Sequence, residues 1–244
     1  MHAEKLRAFV LSTLDYGDSD RIASLFSLEH GRIKAFARGA RKSRKRFGPA
    51  LETFAQIEAQ IRVKEGLSGL QQAEIVSVYP RIRADLACIT HALYACELVD
   101  ALTPEGLPLP RLYRLLSAYL DRLEQEAATE ADRRFFEINL LNILGYRPAL
   151  DACSRCDTPY GAAGALLGLN GEPVCPACAN GGRPLASATL RALLACLGTG
   201  RFGVVSFPGD TLAQGGTLLD EALGVHAGRR IKSLEFLRQI GVYT

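Results

Sequence analysis

Four cysteines are spaced as the two halves of a metal site: Cys153-Ser-Arg-Cys156, an 18-residue spacer, then Cys175-Pro-Ala-Cys178. Each Cys-x-x-Cys knuckle presents two thiolates from one tight turn. Two such knuckles together close a tetrahedron of soft ligands of the kind that holds Zn²⁺. Two unrelated turns would have no reason to share the same short spacing. Four thiolates leave no open position for water or substrate, so the expected role is structural, with one Zn²⁺ per chain bracing a segment too small to build its own core. Cys88, Cys96 and Cys196 lie in apolar stretches, where a cysteine serves as a small buried hydrophobe. No disulfide is expected, because the chain has the character of a cytoplasmic protein and that compartment keeps thiols reduced.

The second cluster is cationic. Between Glu29 and Glu52 there is no acidic residue, yet Arg32, Lys34, Arg38, Arg41, Lys42, Arg44, Lys45 and Arg46 all fall inside the interval. If residues 32–38 form a strand, alternation sends Ile33, Ala35 and Ala37 inward and Arg32, Lys34, Phe36 and Arg38 outward together. One exposed aromatic framed by three cations is the composition of a single-strand binding surface, where cations follow phosphates and the ring offers a stacking face. The loop Ala40–Pro49 extends the charge, with Phe47 as a second candidate for stacking. In the opposite register Phe36 would be core, and Ile33, Ala35 and Ala37 would be exposed. A merely solvated face would mix the two signs of charge, which this run does not.

These residues need a scaffold, and the first 80 residues read as β structure. Ile57, Ala59, Ile61 and Val63 alternate with Gln56, Glu58, Gln60 and Arg62, the period of a half-buried strand. Similar runs occur at 6–12, 21–27, 32–38 and 70–78, with glycines marking the connections. Five short strands predict a small closed barrel, and the five-stranded OB-fold is the usual one that binds nucleic acid. After Pro80 the period becomes about 3.6. Helices are predicted at 86–102, 111–124, 132–144, 187–197, 217–223 and 232–240. The expected architecture is α+β and multidomain: an OB-fold over 1–80, a helical domain over 81–150 and 183–244, and a zinc-binding insert over 151–182.

Charge follows the same division. Residues 1–80 carry 13 Lys/Arg against 9 Asp/Glu, residues 81–150 carry 8 against 10, and residues 151–244 carry 8 against 7. The first third therefore holds the excess, which points to a polyanionic partner there. No uncharged apolar stretch of about 18 residues occurs, so a soluble cytoplasmic protein is expected. Enzymatic readings have little support. His2, His30, His91 and His226 are scattered, and no nucleophile elbow, Walker A loop or dinucleotide fingerprint is present. Asp15, Asp18 and Asp20 surround a Tyr16-Gly17 turn, and turn chemistry explains them more simply than a metal does.

The ordered set of Tyr16-Gly17-Asp18-Ser19-Asp20-Arg21, Glu29-His30-Gly31-Arg32-Ile33, Arg38-Gly39-Ala40-Arg41 and Phe47-Gly48 resembles the N-terminal signature of the bacterial RecO family. Leu107–Pro110, Phe136-Glu137, Leu144-Gly145-Tyr146, the cysteine segment and Gly228-Arg229-Arg230-Ile231-Lys232-Ser233 agree in order, so the resemblance covers nearly the whole chain. It implies an N-terminal OB-fold, a helical domain and a zinc insert, and no catalytic residues. The implied activities are binding of single- and double-stranded DNA, strand annealing, and loading of RecA with RecR, and in many bacteria RecF, onto DNA coated by single-stranded-DNA-binding protein. Because some family members lack the four cysteines, the zinc is expected to be structural. The resemblance places the protein in the cytoplasm, associated with the nucleoid. It also implies a docking platform in the helical domain, where an apolar groove edged by Arg111, Arg114, Arg133 or Arg134 would receive the acidic, hydrophobic tail of the single-stranded-DNA-binding protein. An OB-fold RNA-binding or transcriptional regulatory protein is the alternative on composition alone.

Overall fold

The computed structural model describes residues 3–43 and 45–239, so Arg44 and the last residue of the predicted C-terminal helix, Ile240, lie outside the described residues. Two compact units are present: Met1–Ala128 with Ile231–Thr244, and Thr129–Arg230. They cut across the segments read from the sequence, since two long helices group with the strands and the last helix returns to the first unit.

In the first unit, β1 (Glu4–Tyr16), β2 (Asp20–Ser27), β3 (Gly31–Ala37), β4 (Gln56–Arg62) and β5 (Leu67–Ser77) close into an OB-like barrel in the order β1-β2-β3-β5-β4. Only β3 and β5 run parallel. The inward positions are mostly small, including Ala8, Ala23, Ala35, Ala37, Ala59 and Ala73. Five strands lined with alanines enclose space that close packing does not tolerate empty. The loop between β3 and β4 fills it with Phe47 and Leu51. Phe47 is 2% exposed, so the expectation that it stacks on a ligand is corrected: its ring plugs the barrel.

The helices α1 (Pro80–Ala84), α2 (Leu86–Leu102), α3 (Pro110–Gln125) and α7 (Lys232–Gln239) complete this unit. Apolar residues lie on nearly every side of α2, as suits a helix packed on several neighbours. His91, in its middle, is buried with Nδ1 2.8 Å from the Tyr119 hydroxyl, a packed rather than chemical role. The Glu97 carboxylate accepts from the Lys232 and Ser233 amides at the start of α7, tying the C-terminal segment to α2. Across the outer face of the barrel, the row Phe9, Phe26 and Arg32 lies against this helical layer, with Tyr113 of α3 meeting both rings. Gly31, at φ +63°, is required there: a Cβ would stand 1.8 Å from the Leu107 carbonyl oxygen.

The second unit contains α4 (Glu130–Leu144), the three-stranded sheet β6 (Ala165–Leu167), β7 (Pro173–Val174) and β8 (Arg183–Leu185), and then α5 (Ser187–Thr199) and α6 (Thr211–His226). Predicted only from 217, α6 begins six residues earlier and runs through Gly215-Gly216. Glycines that read as helix breakers are here contact points, because Gly215 lies against Leu193 and Gly216 against the Arg134 guanidinium. Arg133 and Arg134, offered as groove-edge cations, are 0% and 3% exposed. That expectation is corrected, because both guanidiniums are enclosed by Glu130 and Glu137, and Arg134 also meets Asp220.

Candidate nucleic-acid interface and metal centre

Strand β3 sets the geometry of the first site. Ile33, Ala35 and Ala37 are buried in the barrel core, whereas Lys34 and Arg38 are exposed and Phe36 is half-buried on the outer side. Moving along β2 and β3, the outer face changes character row by row. The first row, Phe26 and Arg32, lies under the helical layer. In the second, Ser24 donates to Asp100 at 2.6 Å while its cross-strand partner Lys34 is free of cover. The third, Ile22 and Phe36, is open.

The cations therefore divide. Arg32 is 16% exposed and donates through Nε to the Thr103 carbonyl at 2.9 Å, with Asp100 at 3.8 Å, so it belongs to the barrel–helix contact and stands apart from the others. Arg41 leans to Asp15 at 3.5 Å. Arg46 folds back to Ser43 and the Arg38 carbonyl and covers the Phe47 ring, its Cζ 5.0 Å from the centroid. Lys34, Arg38, Lys42 and Lys45 are exposed and enter no ion pair among the described residues. Lys34 and Arg38 flank Phe36 in sequence, and Lys42 and Lys45 follow in the loop; those four are the described cations of this run that are both exposed and not tied to a neighbour.

The acidic turn between β1 and β2 orders this surface rather than opposing it. Asp20 accepts from the Gly39 amide at 2.6 Å, and the Arg41 amide donates to the Ser19 carbonyl at 2.9 Å, pinning the start of the basic loop. Arg21, donating to Asp15 at 2.9 Å, holds that carboxyl below the usual carboxylate range, with Arg41 adding to the effect. Sequence reasoning missed Leu14, Tyr16 and Ile22 on the same face. Their side chains become neighbours of Phe36 only through strand pairing, which has no local signal.

The second site lies wholly within the second unit. The sulfurs of Cys153, Cys156, Cys175 and Cys178 all lie within 4.8 Å of one another, and Cys156 and Cys175 are 3.7 Å apart. Thiolates bound at about 2.3 Å to a tetrahedral ion stand roughly 3.8 Å apart, so the cluster could close on a metal with little movement. Both knuckles are built by short backbone bonds: the Asp157 amide to the Cys153 carbonyl, and the Cys178 amide to the Cys175 carbonyl. The Arg155 amide points at the Cys153 sulfur at 3.5 Å. Burial disfavours the Cys153 thiolate, but the surrounding amides of Cys175, Arg155 and Cys156 outweigh it and bring the thiol to about 6. The neighbouring Cys156 and Cys175 thiols push Cys178 up to about 12. Four thiols this close cannot all ionise without a cation among them, and the donor set therefore fits a soft or borderline divalent ion. Cys88, Cys96 and Cys196 are buried away from the cluster, as expected of small hydrophobes.

The family description "Recombination protein O N terminal" matches residues 1–79, and "Recombination protein O C terminal" matches residues 83–235. A DNA repair protein RecO from Pelobacter propionicus is 68% identical over 241 residues, 98% of this chain and 98% of that protein. One from Geobacter sulfurreducens is 53% identical, covering 98% and 99%. Another, from Myxococcus xanthus, is 37% identical, covering 96% and 97%. None of the described helices is long and apolar enough to cross a membrane.

Proposed function

Because the chain belongs to the RecO family of DNA repair proteins, we infer that it acts in recombinational repair as a non-catalytic mediator that holds DNA on the open outer face of its barrel. It binds single- and double-stranded DNA, anneals complementary strands and, with RecR and in some settings RecF, loads RecA onto DNA coated by single-stranded-DNA-binding protein, in the cytoplasm on the nucleoid. The observation that carries this reading is the strand β3 face, where exposed Lys34 and half-buried Phe36 lie on the outer side and exposed Arg38 follows at the strand's end, while the intervening residues fill the core. Annealing needs a surface that neutralises phosphates and leaves bases available, which cations around one aromatic ring provide.

Salt titration tests it. Lys34→Ala is expected to lower the salt slope of single-strand binding by about 0.7 and to weaken all sequences alike. Phe36→Ala is expected to cost roughly 1–3 kcal/mol of affinity with the slope nearly unaltered, because stacking releases no counterions. If neither substitution changed binding while the melting temperature held, the DNA surface would lie elsewhere.

The metal is Zn²⁺, held by Cys153, Cys156, Cys175 and Cys178. A tetrahedral four-thiolate site is closed, so what the ion supplies is a cross-link between two knuckles.

For the partner tail, a cleft of about 370 Å³ in the second unit has the required chemistry. Leu150, Leu190 and Leu194 give it apolar walls, and the exposed Arg191 stands at its edge. Arg191 replaces the buried Arg133 and Arg134 as the cation that would meet an acidic, hydrophobic tail. Arg191→Glu is expected to weaken binding of a labelled tail peptide at least tenfold. Unchanged binding would move the docking site to the exposed Arg111 and Arg114 of α3.

A further inference from the structure

Strand pairing places five residues in one outward row across the barrel: Leu14 on β1, Ile22 on β2, Phe36 on β3, Gly69 on β5 and Arg62 on β4. Leu14 is 65% exposed, and Tyr16, which meets the Phe36 ring edge-on at 5.9 Å, is 56% exposed. Leu67, beside Lys34 in the neighbouring row, is also exposed. An apolar shelf therefore runs through the basic surface.

Gly69 interrupts that shelf, and nothing in the backbone requires a glycine there. Its φ is outside the left-handed region, and a Cβ built on it would meet no atom within 4 Å. A strand glycine gives up packing and ordering, and such a position often marks the close approach of another molecule. Its two cross-strand neighbours are an aromatic ring and an exposed guanidinium with no ion pair among the described residues. Phe36 and Arg62 stand two strand spacings apart, roughly 9–10 Å. The gap between them is a slot bordered by an aromatic residue and a cation, with no side chain in its floor.

We propose that this slot takes an unpaired nucleobase, stacked on Phe36 and flanked by Arg62, and that it makes the barrel face prefer single-stranded over duplex DNA. The proposal rests on the reading that nucleic acid lies on this face. Backbone cations contact phosphates in both forms and cannot separate them. A duplex keeps its base faces inside the stack, whereas a single strand presents them to an apolar ledge. Lys34 and Arg38, on either side of Phe36 along β3, are placed to hold the phosphates flanking the seated base. Two of the nearby carboxylates are already engaged, Asp15 with Arg21 and Arg41 and Asp20 with the Gly39 amide.

The test is Gly69→Val in the full-length protein. Valine suits a strand better than glycine, and its Cβ would meet no atom within 4 Å, so the melting temperature should hold or rise. Binding is measured to oligo(dT) and to a blunt duplex of equal length, with Lys34→Ala run in parallel. Filling the slot should weaken oligo(dT) binding about tenfold, leave duplex binding within about twofold and leave the salt slope unchanged. An equal loss on both DNAs, or no loss on either while Lys34→Ala weakens both, would overturn the slot while leaving the DNA-binding face standing. If Lys34→Ala also had no effect, the DNA-binding reading itself would fall, and the apolar shelf would be a protein interface.

Discussion

Replacing Glu137 with alanine is expected to destabilise the second unit by about 3–5 kcal/mol. The Glu137 carboxylate is fully buried and serves two equally buried cations, with Oε1 3.3 Å from Arg133 Nε and Oε2 2.7 Å from Arg134 Nη1. Glu130 Oε2 is 3.2 Å from both guanidiniums, and Asp220 adds a contact to Arg134 at 3.2 Å. Burial pushes the Glu130 carboxyl up, and the two arginines only partly offset this. Removing Glu137 takes a fully buried carboxylate from both guanidiniums at once, so their desolvation is no longer offset to the same extent. Hydrogen exchange of the α4 and α6 amides is the measurement of choice, because two compact units need not unfold in one transition. A loss below about 1 kcal/mol would mean that water reaches the network in solution. The same cluster explains Gly216: the guanidinium of Arg134 occupies the place a side chain would take, its nearest atom 2.7 Å from a built Cβ.

Withdrawing the metal is the second large perturbation. Residues around 151–185 are held by short elements, since β6, β7 and β8 are three, two and three residues long, and the core at the knuckles is Cys153, Val174 and Cys175 with a few partly buried neighbours, beside Ala165, Leu167 and Leu185 buried on the strands. Sheets of this size do not stand alone in water, whereas structural zinc contributes on the order of 10 kcal/mol of folding free energy in small domains. Freshly purified protein is expected to carry one equivalent of zinc, and less than half an equivalent would count against the site. Chelation, or Cys175→Ser, should abolish hydrogen-exchange protection over 151–185 and leave oligonucleotide binding by the barrel within about twofold. Acidification should release the metal for the same reason, since protons compete with it for the thiolates and the site is stable only above the range in which they ionise. If DNA binding vanished while the barrel stayed folded, the metal would be more than a brace.

How much of this was legible beforehand depends on how local the determining interaction is. The Cys-x-x-Cys knuckles are self-contained turns, so their spacing alone announced a candidate metal site, and the four sulfurs gather as read, close enough to hold an ion. Alternation along β3 likewise follows from the pleat: Ile33, Ala35 and Ala37 share one side and Arg32, Lys34 and Phe36 the other, and the charges on the second side favoured the burial pattern that is found. The predicted helix at 86–102 matches α2 residue for residue because Asp85 caps one end through the Cys88 amide and Thr103-Pro104 stops the other. None of these features depends on a residue far away in the chain.

Where a distant partner decided the outcome, the sequence misled. Phe47 sits in a charged loop and reads as exposed, yet the alanines that line the strands leave a hole only a large ring can fill, and that hole exists only once the barrel has closed. Arg32 alternates outward like Lys34, but α2 ends over it and its carbonyl at Thr103 takes the guanidinium. Arg133 and Arg134 read as surface cations until three carboxylates, one of them from α6, close around them. Gly69 read as part of a glycine-marked connection before residue 70, yet it lies inside β5, where pairing puts Phe36 on one side and Arg62 on the other. By itself the sequence determined what each residue offers: a thiolate, a ring, a charge, a period. Tertiary structure decided which of those offers is already taken, because burial and pairing are properties of contacts between elements that only folding brings together.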